Sequence, residues 1–180
     1  MKQITVLNFS PRSEGNCTAI SSFISEHYAL SNICANQFRE EFSPCGNCDY
    51  ECLRPGVNCP GIPEALCKVM DSMLESDLVY FIVPNFCGGP CGNYYAFNER
   101  TVGYFNMDRA LMGRYMAVKK KFIFVSNTEC DSFVQATRQH TKEEPEILYL
   151  KTGKYKKQSI AGDMMTTEEA QADLKAFLNA

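Results

Sequence analysis

The chain has 180 residues, 45% apolar and 22% charged, and its 18 basic and 21 acidic side chains leave a formal net charge of −3. This size and composition suit one domain, 1–180, around one core, and exclude a disordered chain. The slight acidity excludes a general electrostatic grip on nucleic acid, and no apolar stretch approaches the ~18 residues that cross a bilayer, so neither partner is expected.

Residues 3–9 form a β-prone run that ends at Ser10-Pro11. Residues 16–30 show helical spacing through Ile20, Phe23, Ile24, His27 and Tyr28, with Asn16 as the N-cap. Residues 33–42 are β-prone but polar, as at a sheet edge. A cysteine-, proline- and glycine-rich irregular loop follows at 43–63. Residues 63–75 predict a helix, with Pro63 in its first turn and Leu66, Val69, Met70, Met73 and Leu74 on one face. Residues 77–83 are a nearly continuous apolar run, expected of a strand covered on both faces and stopped by Pro84. After a glycine-rich loop at 85–92 come a long helix over 93–115, a buried strand at 121–126 and a helix over 129–140. A last strand at 146–150 precedes a helix over 166–179 that starts at a capping box of Thr166 and Glu169.

Strict β-α alternation predicts an α/β fold with three α/β/α layers around a five-stranded parallel sheet, in the flavodoxin-like order 2-1-3-4-5. Ligands of such sheets bind beyond the carboxyl ends of the strands where the order reverses, here between strands 1 and 3. The loops leaving those strands are residues 10–16 and 84–92. The first reads Ser10-Pro11-Arg12-Ser13-Glu14-Gly15-Asn16-Cys17-Thr18. It offers hydroxyls, one guanidinium, a glycine and a helix N-terminus, a combination that attracts phosphate. The loop matches neither the P-loop nor the dinucleotide fingerprint. An ordinary strand-to-helix turn capped by Asn16 is the alternative.

Residues 4–18 resemble the opening of the NADPH-dependent FMN reductase family, which includes the iron–sulfur flavoproteins. Ser10, Arg12, Ser13, Gly15, Asn16 and Thr18 fall on its phosphate loop, and Cys17 stands where Ser or Thr is usual. Cys45-Gly46-Asn47-Cys48-Asp49-Tyr50-Glu51-Cys52 resembles the family's cysteine-rich loop. Residues 77–86 are similar to its third strand and flavin-side loop, with Phe86 in place of a more usual Tyr. Phe97-Asn98-Glu99-Arg100 looks like a degraded Phe-x-Asp-Arg element without its upstream Lys. The resemblance implies FMN, with its phosphate on residues 10–18 and its ring on Pro84, Asn85, Phe86, Cys87 and Gly88. Asn127, in the loop after strand 4, would add a further contact. It implies NAD(P)H as hydride donor, a small-molecule acceptor or ferredoxin-like carrier, and a homodimer or higher homo-oligomer. The flavin, rather than a side chain, would carry the chemistry.

The spacing Cys45-x2-Cys48-x3-Cys52-x6-Cys59 suits a [4Fe–4S] cluster or zinc, or leaves reduced or oxidisable thiols. Iron–sulfur flavoproteins place a four-cysteine motif here, usually with two residues in the middle gap. Residues 1–12 are too polar for a signal peptide, which predicts a cytoplasmic protein. The ten cysteines then read mostly as reduced, with Cys34, Cys67 and Cys130 as core fillers and Cys87 and Cys91 as filler or redox partners near the ring. Lys119, Lys120, Lys121, Lys151, Lys154, Lys156 and Lys157 form a solvated face or a nucleotide-phosphate site. His27 and His140 read as structural. Tyr94, Tyr95, Tyr104, Met107, Met112, Tyr115 and Met116 read as core or subunit interface. Three functions follow: an FMN-dependent NAD(P)H oxidoreductase, an iron–sulfur electron carrier, or a non-catalytic redox-sensing module.

Overall fold

The computed structural model describes residues 3–28, 33–37, 45–46, 48–54, 57, 59–129 and 131–180. Strands β1 (Ile4–Asn8), β2 (Ile33–Gln37), β3 (Leu78–Phe86), β5 (Lys119–Val125) and β6 (Glu146–Leu150) are parallel, in the order β2-β1-β3-β5-β6. This is the predicted 2-1-3-4-5 order of five parallel strands. The two-residue β4 (Gly89–Pro90) pairs antiparallel with the end of β3. Ile4 lies opposite Ile33 and Leu78, and Leu78 opposite Lys119.

Period-two alternation builds both faces from one apolar run. Leu78, Tyr80 and Ile82 of β3 join Ile4 and Val6 under helices α1 (Asn16–Tyr28) and α6 (Glu168–Asn179), against Ile20, Ile24, Leu174 and Leu178. Val79, Phe81 and Val83 join Leu7 and Phe9 on the opposite face. There they meet Leu66 and Met70 of α2 (Glu64–Leu74), Tyr94 and Phe97 of α3 (Gly92–Met107), Tyr115 of α4 (Arg109–Ala117) and Phe133 of α5 (Asp131–Arg138). Among the described residues no helix is long and apolar enough to cross a membrane.

Several boundaries differ from expectation. β3 does not stop at Pro84 but runs to Phe86. Phe9 N–H donates to Ile82 O at 3.0 Å, so Pro84, two residues on, turns its missing N–H to the side where β1 has already ended. The helix predicted over 93–115 is two helices. Asp108 is extended (φ −149°) and its side chain accepts from Ala110 N–H at 2.8 Å, which caps α4 and breaks the run. Asn16 is not the cap of α1: Gly15 O takes the first helical bond, and the Asn16 amide reaches another loop. The predicted capping box is displaced too, because Thr167 precedes α6 while Thr166 closes a 3-10 turn over Met164–Thr166. Residues 38–42, the Cys34 side chain and Cys130 lie outside the described residues. Cys67 is half-buried and packs against the core, as a filler should.

Candidate functional site

At the carboxyl edge, α1 begins where the chain leaves β1. Ser10 N–H donates to Asn8 Oδ1 at 2.9 Å and Arg12 N–H to Ser10 Oγ at 3.3 Å. Thr18 Oγ1 donates to Arg12 O at 3.3 Å. The Ser10 and Thr18 hydroxyls therefore brace the loop from inside. Cys17 is buried, which pushes its thiol up, with Cys91 adding to the rise. Arg12 Nη2 donates to Ile160 O at 3.0 Å, Asn16 Nδ2 to Ser159 O at 3.3 Å, and Met164 N–H to Asn16 Oδ1 at 3.0 Å. Gly162 (φ +76°) lies against Gly15, so close that a Cβ on it would stand 3.0 Å from Gly15 Cα.

With the side chains occupied as struts, the backbone is left open. The amides of Ser13, Glu14, Gly15, Asn16 and Cys17 have no acceptor among the described residues. They sit at the positive end of a 13-residue helix. This donor set fits a phosphate. Of the residues predicted to hold it, Ser13, Gly15, Asn16 and Cys17 lie on this stretch through their amides. Arg12 is exposed beside it, and the side chains of Ser10, Asn16, Cys17 and Thr18 support it.

The second predicted loop is a hairpin. Asn85 faces Pro90 and Phe86 faces Gly89, around a two-residue turn in which Cys87 (φ 52°) and Gly88 (φ 83°) are both left-handed. That is the geometry of a type I′ turn. Asn85 is its brace: Oδ1 accepts from Gly88 N–H at 3.0 Å and Nδ2 donates to Ser126 Oγ at 2.8 Å. Gly88 N–H is therefore not offered to a ligand, contrary to expectation, because the turn needs it. The Cys87 amide has no acceptor among the described residues, and the Phe86 ring is 52% exposed.

Asn127, expected to add a contact, braces the loop after β5. Its Nδ2 donates to Thr152 Oγ1 at 3.0 Å and Ser159 Oγ at 3.2 Å, and its Oδ1 accepts from Gly153 N–H at 2.8 Å. It ties the loop after β5 to residues 151–163, which in turn reach Arg12 and Asn16. Sequence reading missed Thr152, Ser159 and Gly162. Gly162 was the one local signal, and the partners lie far apart in the chain.

The cysteine loop docks on α3. Glu99 Oε2 accepts from Cys45 N–H at 3.0 Å, buried Arg100 Nη1 donates to Gly61 O at 3.0 Å, and Asn106 Nδ2 donates to Cys52 O at 2.8 Å. The degraded Phe-x-Asp-Arg element is thus this loop's anchor. Cys52 and Cys59 are buried and Cys45 and Cys48 half-buried. Burial raises the Cys52 thiol, and neighbouring Cys59, Cys45 and Cys48 raise it further. Even so, no three metal-ligating side chains among the described residues are placed to hold an ion. Left-handed Tyr50 (φ 56°) lies in the three-residue gap, and the 3-10 turn Glu51–Leu53 that follows it carries Cys52. The predicted four-thiolate set therefore finds no support among the described residues.

The basic residues are mostly paired. Lys119 and Lys121 meet Glu146, Lys151 meets Glu129, Lys154 meets Asp173 and Lys157 meets Asp163. Lys120 is buried, with Nζ donating to Tyr115 O and Val118 O. Burial pulls its ammonium down to about 8. Lys156 is exposed. A cavity of about 590 Å³ between α3 and α5 is lined by Tyr95 and Ser132, and Ser132 Oγ donates to Gly88 O of the hairpin at 3.0 Å; a second, of about 410 Å³, lies beside Lys119 and Glu144.

No protein-family profile matches the chain, and no curated protein matches its sequence. Solved structures do share its fold. Smu.1420 from Streptococcus mutans UA159 is 14% identical, with a TM-score of 0.66 over 99% of this chain and 100% of its own. The flavoenzyme NAD(P)H:(acceptor) oxidoreductase FerB from Paracoccus denitrificans is 14% identical, with a TM-score of 0.54 over 99% and 96%. An azoreductase from Bacillus anthracis str. Sterne is 11% identical, with a TM-score of 0.56 over 99% and 96%. At such identities the likeness is one of fold.

Proposed function

We propose that this chain binds FMN between the ends of β1 and β3 and acts as an NAD(P)H-dependent oxidoreductase. The run of five open amides from Ser13 to Cys17 carries the reading, because it places an anion site at the topological switch point of the sheet. The fold shared with FerB and the azoreductase supports it. When bound, the flavin takes a hydride from NAD(P)H and passes electrons to an acceptor.

The residues of this chain bind and orient. The Ser13–Cys17 amides and the Ser13 hydroxyl hold the phosphate, with the N-terminal dipole of α1 behind them. Arg12 stands at the rim, its guanidinium shared with Ile160 O. The half-exposed Phe86 ring supplies an aromatic wall, and the Cys87 amide supplies a donor to the ring's edge. Asn85, Ser126 and Asn127 fix the positions of these groups. The acceptor is a small molecule or a ferredoxin-like carrier. The reading includes a homodimer, for which exposed Tyr95 and Val102 on α3 supply apolar surface. The competing reading, an iron–sulfur electron carrier, finds no ligand set among the described residues to support it.

The test is a fluorescence titration of the full-length protein with FMN and with riboflavin, which lacks the phosphate. FMN is expected to bind much more tightly. Ser13→Asp, which sets a carboxylate among the amides, is expected to weaken FMN tenfold or more and leave riboflavin unchanged. NADH and NADPH oxidation with a quinone acceptor then measures turnover, and iron is assayed on the same sample. A protein that binds neither flavin overturns the reading.

A further inference from the structure

The α3 residues that hold the cysteine loop also set two of its thiols against each other. Gly103 and Asn106 lie three apart on one helix face, a spacing that puts their Cβ positions about 5–6 Å apart. Cys59 rests on Gly103, where an added Cβ would stand 2.7 Å from Cys59 Cβ and 3.0 Å from its Sγ. Asn106 fixes the Cys52 carbonyl at 2.8 Å. The helix thus presents both cysteines on adjacent sites. Both are nearly enclosed, 6% and 7% exposed, and their side chains share a hydrogen bond. Both are free thiols. Cys45 and Cys48 are more exposed than this pair.

We propose that Cys52 and Cys59 form a reversible disulfide by exchange with a small-molecule disulfide, entering through Cys45 or Cys48. An outer thiolate attacks the small disulfide; that S–S bond breaks, a mixed disulfide forms and one small thiol leaves. Cys52 attacks the outer protein sulfur and the second small thiol leaves. Cys59 then attacks Cys52 and restores the outer thiol. Each step makes one S–S bond and breaks one. In sum, two protein thiols give up two electrons and two protons, and the small disulfide becomes two thiols. Cys52 and Cys59 are buried and Cys45 and Cys48 half-buried, so a small disulfide in solution meets the outer pair first. The proposal does not depend on flavin binding.

The experiment equilibrates the full-length protein, purified without oxygen, in mixtures of reduced and oxidised glutathione. Free thiols are trapped with N-ethylmaleimide and the peptides are mapped by mass spectrometry, with iron and zinc assayed beforehand. Oxidising mixtures are expected to give a linked Cys52–Cys59 peptide as the dominant product, reversible with reductant. The double variant Cys45→Ser, Cys48→Ser is expected to form it at least tenfold more slowly. An unchanged rate overturns the relay. Cys52 and Cys59 alkylated at every ratio overturn the pair, as does a Cys45–Cys48 link in its place. So does about one zinc or about four irons per chain shielding all four thiols. The wild-type map decides the pairing, so the answer does not hang on a variant that fails to fold.

Discussion

The loop that starts at Phe9 and the described residues of the cysteine loop both lean on α3, yet they are held in opposite ways. In the first loop Phe9 rests on Tyr94 and Phe97, and the loop's own side chains act as struts: Ser10, Arg12, Asn16 and Thr18 each bond to backbone. That leaves five amides open. In the second loop the struts come from the helix, through Glu99, Arg100 and Asn106, and the loop's side chains are left to face one another. A loop that recognises an anion through its backbone needs its side chains for bracing. A loop that reacts through its side chains must be braced from outside.

The largest expected effect removes the ground common to both. His140 is buried among Phe81, Tyr94, Phe97, Tyr115 and Phe122, with Nδ1 bonded to Tyr115 and Nε2 without a partner among the described residues. Burial, with the nearby Lys120 charge, pulls its imidazolium down to about 3. The unfolded chain therefore binds the extra proton first. This part of the stability is complete above about pH 6.5 and is lost as pH falls toward 3, by an amount on the order of 5 kcal/mol. Urea unfolding across that range should show the acid limb, and His140→Gln should flatten it. Hydrogen exchange should show residues 10–18 and 45–61 loosening at the same pH. Loops that loosen at different pH values do not share this platform.

Next in size is Gly103→Ala. Alanine gains roughly 1 kcal/mol of helix propensity, but its Cβ would meet Cys59 Cβ at 2.7 Å, and the overpacking costs about 1–3 kcal/mol. We expect a net loss and alkylation of Cys59 at least tenfold faster, with FMN affinity unchanged. A drop in FMN affinity would show that α3 couples the two loops.

Asn127→Ala cuts the other loop's outer brace. Its bonds to Thr152, Ser159 and Gly153 are lost, at roughly 1–2 kcal/mol, and residues 151–163 lose their tie to the loop after β5. FMN is expected to bind several-fold more weakly while Cys59 alkylation stays as in wild type, the mirror image of Gly103→Ala. Unchanged FMN affinity would mean that Arg12 and Asn16 hold the loop unaided.

This division also explains what the chain's order of residues discloses. The strands were legible because the apolar run at 78–83 and the β-prone run at 4–9 are local signals, and the strand order followed from the βα rhythm. The loop proposed to hold the phosphate stood out as a place, since hydroxyls, glycine and helix start are contiguous. The work of each side chain was not, because Arg12, Asn16 and Asn127 spend their groups on residues 151–164, far along the chain. The break at Asp108 hid inside a helical period, and only the Ala110 bond reveals the cap. For the cysteines, spacing suggested a ligand set. The docking of Cys59 on Gly103 and its hydrogen bond with Cys52 are not readable from spacing.

The smallest effect concerns Cys87, the one residue of the hairpin turn whose side chain conflicts with its backbone. A type I′ turn needs positive φ at both central positions, and Gly88 meets this at no cost. Cys87 at φ 52° bears a Cβ there, a strain of about 1 kcal/mol or more. Replacement by Gly would relieve it but enlarge the freedom of the unfolded chain. Asn tolerates the left-handed region without that loss. Cys87→Asn should therefore raise stability by up to about 1 kcal/mol in urea unfolding. The backbone amide, not the thiol, is the group assigned to the flavin, so FMN affinity should hold. A variant that gains stability but loses affinity would place the thiol itself against the ring, and the hairpin would then resemble the cysteine loop more than the phosphate loop.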